Sequence, residues 1–206
     1  NNYFWTLDYK LALQYYNLAL NSKTNKFRKA CTKNNIASVY MEMRNYKKAI
    51  QILLPLTLEK DVINDPDMFS IILDNLGYSY FKVDNSKGID YMNEVLKIRL
   101  QEKNDFGLIT SYGRLSEYYK KTNPKKAFNY ALLGYEKSTK INDINDRLIC
   151  LALLIEKSSG NQLKKYSLDY IRINDSLVKA RQKAKNQFAK IKYDSKKDKE
   201  ENLRLK

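Results

Sequence analysis

Small residues set between aliphatics and followed by a larger apolar or aromatic side chain recur along the chain. They appear as Ile36-Ala37 with Tyr40, Leu76-Gly77 with Tyr80, Leu115-Ser116 with Tyr119, and Leu151-Ala152 with Ile155. The small members stand 40, 39 and 36 residues apart. A second set interleaves with the first: Ala12 with Tyr16 and Ala19, Ala49 with Leu53 and Leu56, Gly88 with Met92 and Val95, Ala127 with Ala131 and Gly134, and a degenerate copy starting at Leu163. A fixed period of this length implies helix pairs, each burying its apolar face only against its neighbours. The pattern predicts pairs over 26–43 with 46–60, 66–82 with 86–103, 105–121 with 125–141, and 144–158 with 161–173. A truncated first pair ends near Ser22.

Polar punctuation supports this register. Asn-Asp pairs occur at Asn64-Asp65, Asn104-Asp105, Asn142-Asp143, Asn145-Asp146 and Asn174-Asp175, each after an amphipathic stretch. Asn tolerates the left-handed conformation that ends a helix, and Asp accepts hydrogen bonds from the N–H groups that begin the next. These pairs are expected to be the joints between repeats. Shorter turns inside repeats are expected at Arg44-Asn45, Asp84-Asn85, Thr122-Asn123-Pro124 and Ser159-Gly160, with Pro124 in a first helical turn. Pro55 lacks an N–H and should kink its helix or end it early.

Composition narrows the picture. With 206 residues, 43% of them hydrophobic, and only 6 Gly and 3 Pro, the chain reads as one elongated helical domain over 1–174 with no flexible linker. From residue 175 the character changes. Leu177, Ala184, Ile191 and Leu205 share a seven-residue spacing, but Ser195 and Asp198 interrupt the seam. Residues 175–206 should therefore form a helix leaving the repeats without making a self-sufficient coiled coil. The formal charge of +15 concentrates there: residues 157–206 hold 15 basic and 6 acidic side chains, net +9. Asn1-Asn2-Tyr3-Phe4-Trp5 runs straight into a second-helix motif, so the chain is expected to be a fragment of something longer.

With this pattern laid out, the sequence resembles the tetratricopeptide repeat family, and its period is closest to the long-helix variants such as those of kinesin light chain. The resemblance covers about 160 residues. It implies an all-α fold, a right-handed α-α superhelix in which small residues let paired helices approach and first helices line a concave groove for a peptide. By register, the groove positions would be Asn34, Ser38, Met41, Glu42, Asp74, Tyr78, Phe81, Lys82, Glu117, Lys120 and Lys121. The Lys/Asn/Arg clamp with which some members hold a C-terminal carboxylate is not matched. A second resemblance lies in Tyr170-Ile171-Arg172-Ile173-Asn174-Asp175-Ser176-Leu177 and the Lys-rich helix after it. This is similar to the exit from the repeats in bacterial membrane-anchored signalling regulators, where a transmembrane helix and then a histidine kinase or DNA-binding output domain follow. It implies a sensory or scaffolding fragment on the periplasmic side. Lys-rich flanks more often mark the cytoplasmic side, so both compartments stay open.

Chemistry is sparse. The chain has no histidine, which removes the commonest general base and metal ligand, and no Walker loop or dinucleotide fingerprint occurs. Cys31 and Cys150 lie on different repeats and are expected to be unpaired. No catalysis, cofactor or metal is therefore expected. The 17 tyrosines could stack bases beside lysines, but Tyr40, Tyr80 and Tyr119 fall at core positions. The expected partner is a protein or peptide in the groove, with Tyr78 and Phe81 as aromatic anchors, and self-association through the last helix is a further expectation. Nucleic-acid or membrane-surface binding through the basic stretch 179–192 is the alternative, and a membrane would be met through a segment outside this sequence.

Overall fold

The computed structural model describes residues 9–84 and 86–204, with side chains described through 191 and at 193 and 195. Expectations placed on residues 1–5, Asn85, Asp198 and Leu205 lie outside these described residues. Within them the protein is all-helical, with no strand: α1 (Tyr9–Asn21), α2 (Lys26–Glu42), α3 (Tyr46–Leu56), α4 (Lys60–Ile63), α5 (Pro66–Lys82), α6 (Lys87–Gln101), α7 (Asp105–Tyr119), α8 (Pro124–Lys140), α9 (Ile144–Lys157) and α10 (Gly160–Arg204). Every substantial contact joins helices no more than three apart in chain order. The pairs α2/α3, α5/α6, α7/α8 and α9/α10 pack internally, and α2, α5, α7 and α9 also touch in succession.

Local chemistry sets the boundaries. Asn25, Asn45, Asp65, Asn104, Asn123 and Asp143 are N-caps whose side chains accept from the N–H groups of Arg28, Lys48, Met68, Gly107, Lys126 and Asp146. Each such cap contributes about 1 kcal/mol. Pro66 and Pro124 open their helices, where no N–H is needed. Arg44, Asp84, Lys103 and Asn142 turn the chain with φ of 58°, 57°, 53° and 59°. Among the described residues only Asn142 is an Asn in the left-handed conformation. Asp84 turns its own joint, Arg44 and Lys103 turn the chain just before the caps Asn45 and Asn104, and the joint at Asn64-Asp65 has no left-handed residue.

Three expectations need correction. The helix expected over 46–60 is shorter, ending early at Pro55 as expected of that residue: α3 stops at Leu56, and the N–H groups of Thr57, Leu58 and Glu59 bond carbonyls three residues back at 3.3, 3.2 and 3.1 Å. That tight turn sends α4 back toward α2 and α5 and buries Val62 completely. Next, Asn145-Asp146 lies in the first turn of α9, and Asn174-Asp175 lies inside α10, which runs unbroken through it. Tyr166, Tyr170 and Ile173 pack on the α9 core there, and helical spacing continues to half-buried Leu177, so nothing ends the helix.

The third correction concerns register. The caps Asn25, Asp65, Asn104 and Asp143 are 40, 39 and 39 residues apart, so the fourth equivalent of Ala37, Gly77 and Ser116 is Ile155. Ala152, expected there, is exposed. The first three pairs do close on small residues. Ala37, Ala49, Ser116 and Ala127 are buried, and a Cβ on Gly88 would stand 2.9 Å from the Gly77 carbonyl oxygen. The last pair has Ile155 and Leu163 instead. From Val178 to Ile191 every side chain of α10 is exposed.

Candidate functional site

An open cleft of about 820 Å3 crosses the end of α2, the start of α3, and α5, α7 and α9. Of the residues expected in a groove, Met41, Glu42, Tyr78, Glu117 and Lys120 line it. Ser38, Lys82 and Lys121 do not, and the Ser38 hydroxyl donates to the Asn34 carbonyl of its own helix at 3.0 Å. Phe81 is also outside, half-buried against Tyr118 with ring centroids 5.4 Å apart.

Asn34 and Asp74 are the clearest departures. At 7% and 4% exposed they lie in a polar seam between helices. The Asn75 amide donates to Asn34 Oδ1 at 3.0 Å, and Arg114 Nη2 donates to Asn75 Oδ1 at 3.1 Å. The Asp74 carboxylate meets Arg114 Nη1 at 2.8 Å and Arg99 Nη1 at 2.8 Å. Arg99 reaches through from α6 and also donates to the Gly107 carbonyl and the Ser111 hydroxyl, both at 2.9 Å. The seam ties α2, α5, α6 and α7 together, so these polar side chains serve cohesion and are not presented to a ligand. A buried carboxylate is retained here because two guanidinium groups compensate its charge.

Above the seam sits Tyr78. Its ring takes the Arg114 guanidinium at 4.7 Å and the Lys82 ammonium at 4.9 Å, and it meets Tyr46 edge-on at 6.3 Å. Burial, and then the Glu117 carboxylate, push the Tyr78 phenol up. Burial opposes the charge on Lys82, but hydrogen bonds to Glu117 and Tyr78 outweigh it and hold the ammonium above its usual range. Lys120 is paired with Glu156 at 2.6 Å. Most cations beside the aromatic floor are thus already engaged.

Sequence reasoning missed Arg44, Tyr46, Arg114, Asp146, Ile149 and Leu153, all of which line the cleft. A signal existed in the caps. Lining residues stand six, nine, ten, thirteen and sixteen places after an N-cap: Thr110 and Ile149, Gly113 and Ala152, Arg114 and Leu153, Tyr78 and Glu117, Met41 and Lys120. The α9 positions were lost because the small-residue register slips by three residues, about one turn, in the fourth repeat.

The tyrosines at core positions do pack between paired helices. Tyr80 stacks on Tyr91 at 5.7 Å and Tyr119 on Tyr130 at 6.0 Å. Cys31 and Cys150 are both free thiols. Burial pushes the Cys150 thiol up to about 12, which leaves it protonated and a poor nucleophile near neutrality. Among the described residues, no group of His, Cys, Asp and Glu could hold a metal ion, and no helix is long and apolar enough to cross a membrane. A scan against protein-family models gave no match, and no curated protein is significantly similar to the chain.

Proposed function

We propose that the protein is a non-catalytic binding module of the tetratricopeptide type, a right-handed α-α superhelix whose first helices hold a peptide or protein segment in the cleft. The observation that carries this reading is the cleft lining. Four successive first helices contribute residues at matching distances from their caps, which is the arrangement that makes a continuous inner wall. Its floor combines apolar side chains with a half-buried aromatic ring, the usual composition of an anchor site.

The test is selection of peptides from a displayed random library on the full chain, followed by titration of synthetic copies. Tyr78→Ala is expected to weaken them by about 1 to 3 kcal/mol. Lys121→Ala, outside the cleft, should leave affinity unchanged. Selected peptides that ignore Tyr78 and every other lining residue would defeat the reading.

A second reading rests on the last helix. Between residues 178 and 191 it exposes Lys179, Arg181, Lys183, Lys185 and Lys190 and carries no carboxylate. Such a stretch suits an anionic surface, a nucleic acid or a membrane. Binding of that kind should fall by orders of magnitude between about 50 and 200 mM salt and vanish when residues after 177 are removed. The role of sensory or scaffolding part of a bacterial membrane-anchored regulator, with its repeats on the periplasmic face, rests on the sequence of residues 170–177 and the Lys-rich helix. An apolar span after residue 206 in the full gene product would support it.

A further inference from the structure

Gly113 lies in the interior of α7 and lines the cleft. The other glycines of α5 to α8 answer to close neighbours. A Cβ would come within 2.9 Å of another atom at Gly77, 2.8 Å at Gly88, 2.7 Å at Gly107 and 2.6 Å at Gly134. At Gly113 it would meet nothing within 4 Å. A glycine inside a helix weakens that helix relative to alanine, and no packing need within the chain offsets the loss here.

The vacancy extends to the next helix. Nine residues after their caps, α2 and α5 carry Asn34 and Asp74, whereas α7 and α9 carry Gly113 and Ala152. The cleft therefore has a hollow over α7 and α9, with Ile109, Ile149 and Leu153 among its apolar lining.

Of the charged groups that α7 and α9 bring to the cleft, one is uncommitted among the described residues. Asp146 also lines the cleft, and its backbone N–H is taken by the Asp143 side chain, but its carboxylate accepts no hydrogen bond and forms no ion pair among the described residues. The backbone N–H of the Asp143 cap, which a carboxylate at this helical position often satisfies, is already bonded to the Ser138 carbonyl. The nearby cation that acts on it, Arg114, is held by Asp74 and Asn75. Burial, and then Asp143, hold the Asp146 carboxyl above its usual range, as befits a carboxylate lacking its counter-charge.

We propose that the hollow over Gly113 is the specificity subsite of the cleft, filled by a bulky apolar side chain of a bound peptide whose adjacent Lys or Arg pairs with Asp146. This rests on the peptide-binding reading above. It commits to an occupant that is both apolar and cationic, because Ile109, Ile149 and Leu153 line the hollow and the one uncommitted charge that α7 and α9 give it is negative, the free Arg44 and Glu42 lining the cleft from the α2 end.

The probes are synthetic peptides carrying the consensus selected on the full chain. That consensus should place a large apolar residue beside Lys or Arg. Gly113→Leu should lower affinity about tenfold or more while leaving the thermal midpoint at or above that of the parent, since its side chain enters open space. Asp146→Lys should lower affinity for the same peptides, and exchanging the peptide's cation for Glu should restore it. Unchanged affinity in Gly113→Leu, with Tyr78→Ala still weakening the peptide, overturns the subsite and leaves the cleft reading standing. Unchanged affinity in both variants overturns both. A Gly113→Leu chain that fails to fold also overturns the proposal, because the hollow would not exist; failure of the Lys-for-Glu exchange to rescue removes Asp146 from it.

Discussion

Alanine at Gly113 and alanine at Gly88 are the same chemical change and should move stability in opposite directions. At Gly113 a methyl group meets no atom within 4 Å, so only the helix-propensity difference remains, about 1 kcal/mol in favour of Ala in a helix interior. At Gly88 the methyl carbon would sit 2.8 Å from the Phe81 nitrogen and 2.9 Å from the Gly77 carbonyl oxygen. Both are backbone atoms, so α5 and α6 must separate, and overpacking of this kind costs about 1 to 3 kcal/mol. Gly88 is the second residue of α6, where propensity counts for less, and the net loss should be about 1 to 2 kcal/mol. The two variants should thus differ by about 2 to 3 kcal/mol. With a urea slope of about 2 to 3 kcal/mol/M, that is a separation of roughly 1 M between midpoints followed by far-ultraviolet circular dichroism. Equal shifts of the same sign would refute the reasoning, because they would mean that the Gly77/Gly88 crossing is no closer than the open face of α7.

Asp74→Ala removes the buried carboxylate that Arg99, itself buried, shares with the partly buried Arg114 and should cost about 3 to 5 kcal/mol in the same urea assay, whereas Lys33→Ala, which breaks the partly exposed pair with Glu59, should stay within about 1 kcal/mol. A loss below about 1 kcal/mol for Asp74→Ala would show that the seam contributes no cohesion. Cys150 gives a pH prediction. Its folded thiol titrates near 12 against an ordinary value of 9.0, so the unfolded chain loses this proton first. Its contribution is complete below pH 9 and is lost as pH rises toward 12, by up to about 1.4 kcal/mol per pH unit. Cys150→Ala should flatten that slope, and an unchanged alkaline slope would contradict the burial argument. Finally, deleting residues 183–206 should leave the urea midpoint within about 0.5 kcal/mol of the full chain, since every described side chain from 182 to 191 is exposed. Native-state hydrogen exchange should likewise find the amides beyond Arg181 unprotected by packing.

Helix identity was legible from short-range chemistry, and where that chemistry stopped the reading failed. Asn25, Asp65, Asn104 and Asp143 act across three residues, through one side chain and one N–H, so their positions could be read with no knowledge of what packs where. The four-residue helix after Pro55 shows no period at that length, and it exists because Val62 has a place in the core. Asn174-Asp175 has the composition of a joint, yet Tyr170 and Ile173 before it pack on the α9 core and Leu177 after it is still half-buried, so the helix is carried through.

The site was half legible for a related reason. Asn34 and Asp74 occupy the groove offset, but long side chains from elsewhere claim them: Arg99 from α6 and Arg114 from α7 reach Asp74, and Asn75 reaches Asn34. Periodicity reports which face a residue leaves from and says nothing of how far an arginine on another helix extends. Small residues are a weaker ruler than caps because close packing is a collective outcome, and it can be met by Ala37, Gly77 or Ser116 or abandoned at Ile155. Aligning by caps instead moves Ala152 from the packed position to the groove offset, beside Gly113. Read from Asn104 and Asp143, these two residues are cleft positions of little side-chain bulk: Ala152 is exposed, and an added Cβ at Gly113 meets nothing within 4 Å. A ligand in the cleft is called for only if the caps are the physical ruler. The exposure of Ala152 and the burial of Leu151 and Leu154 decide for the caps.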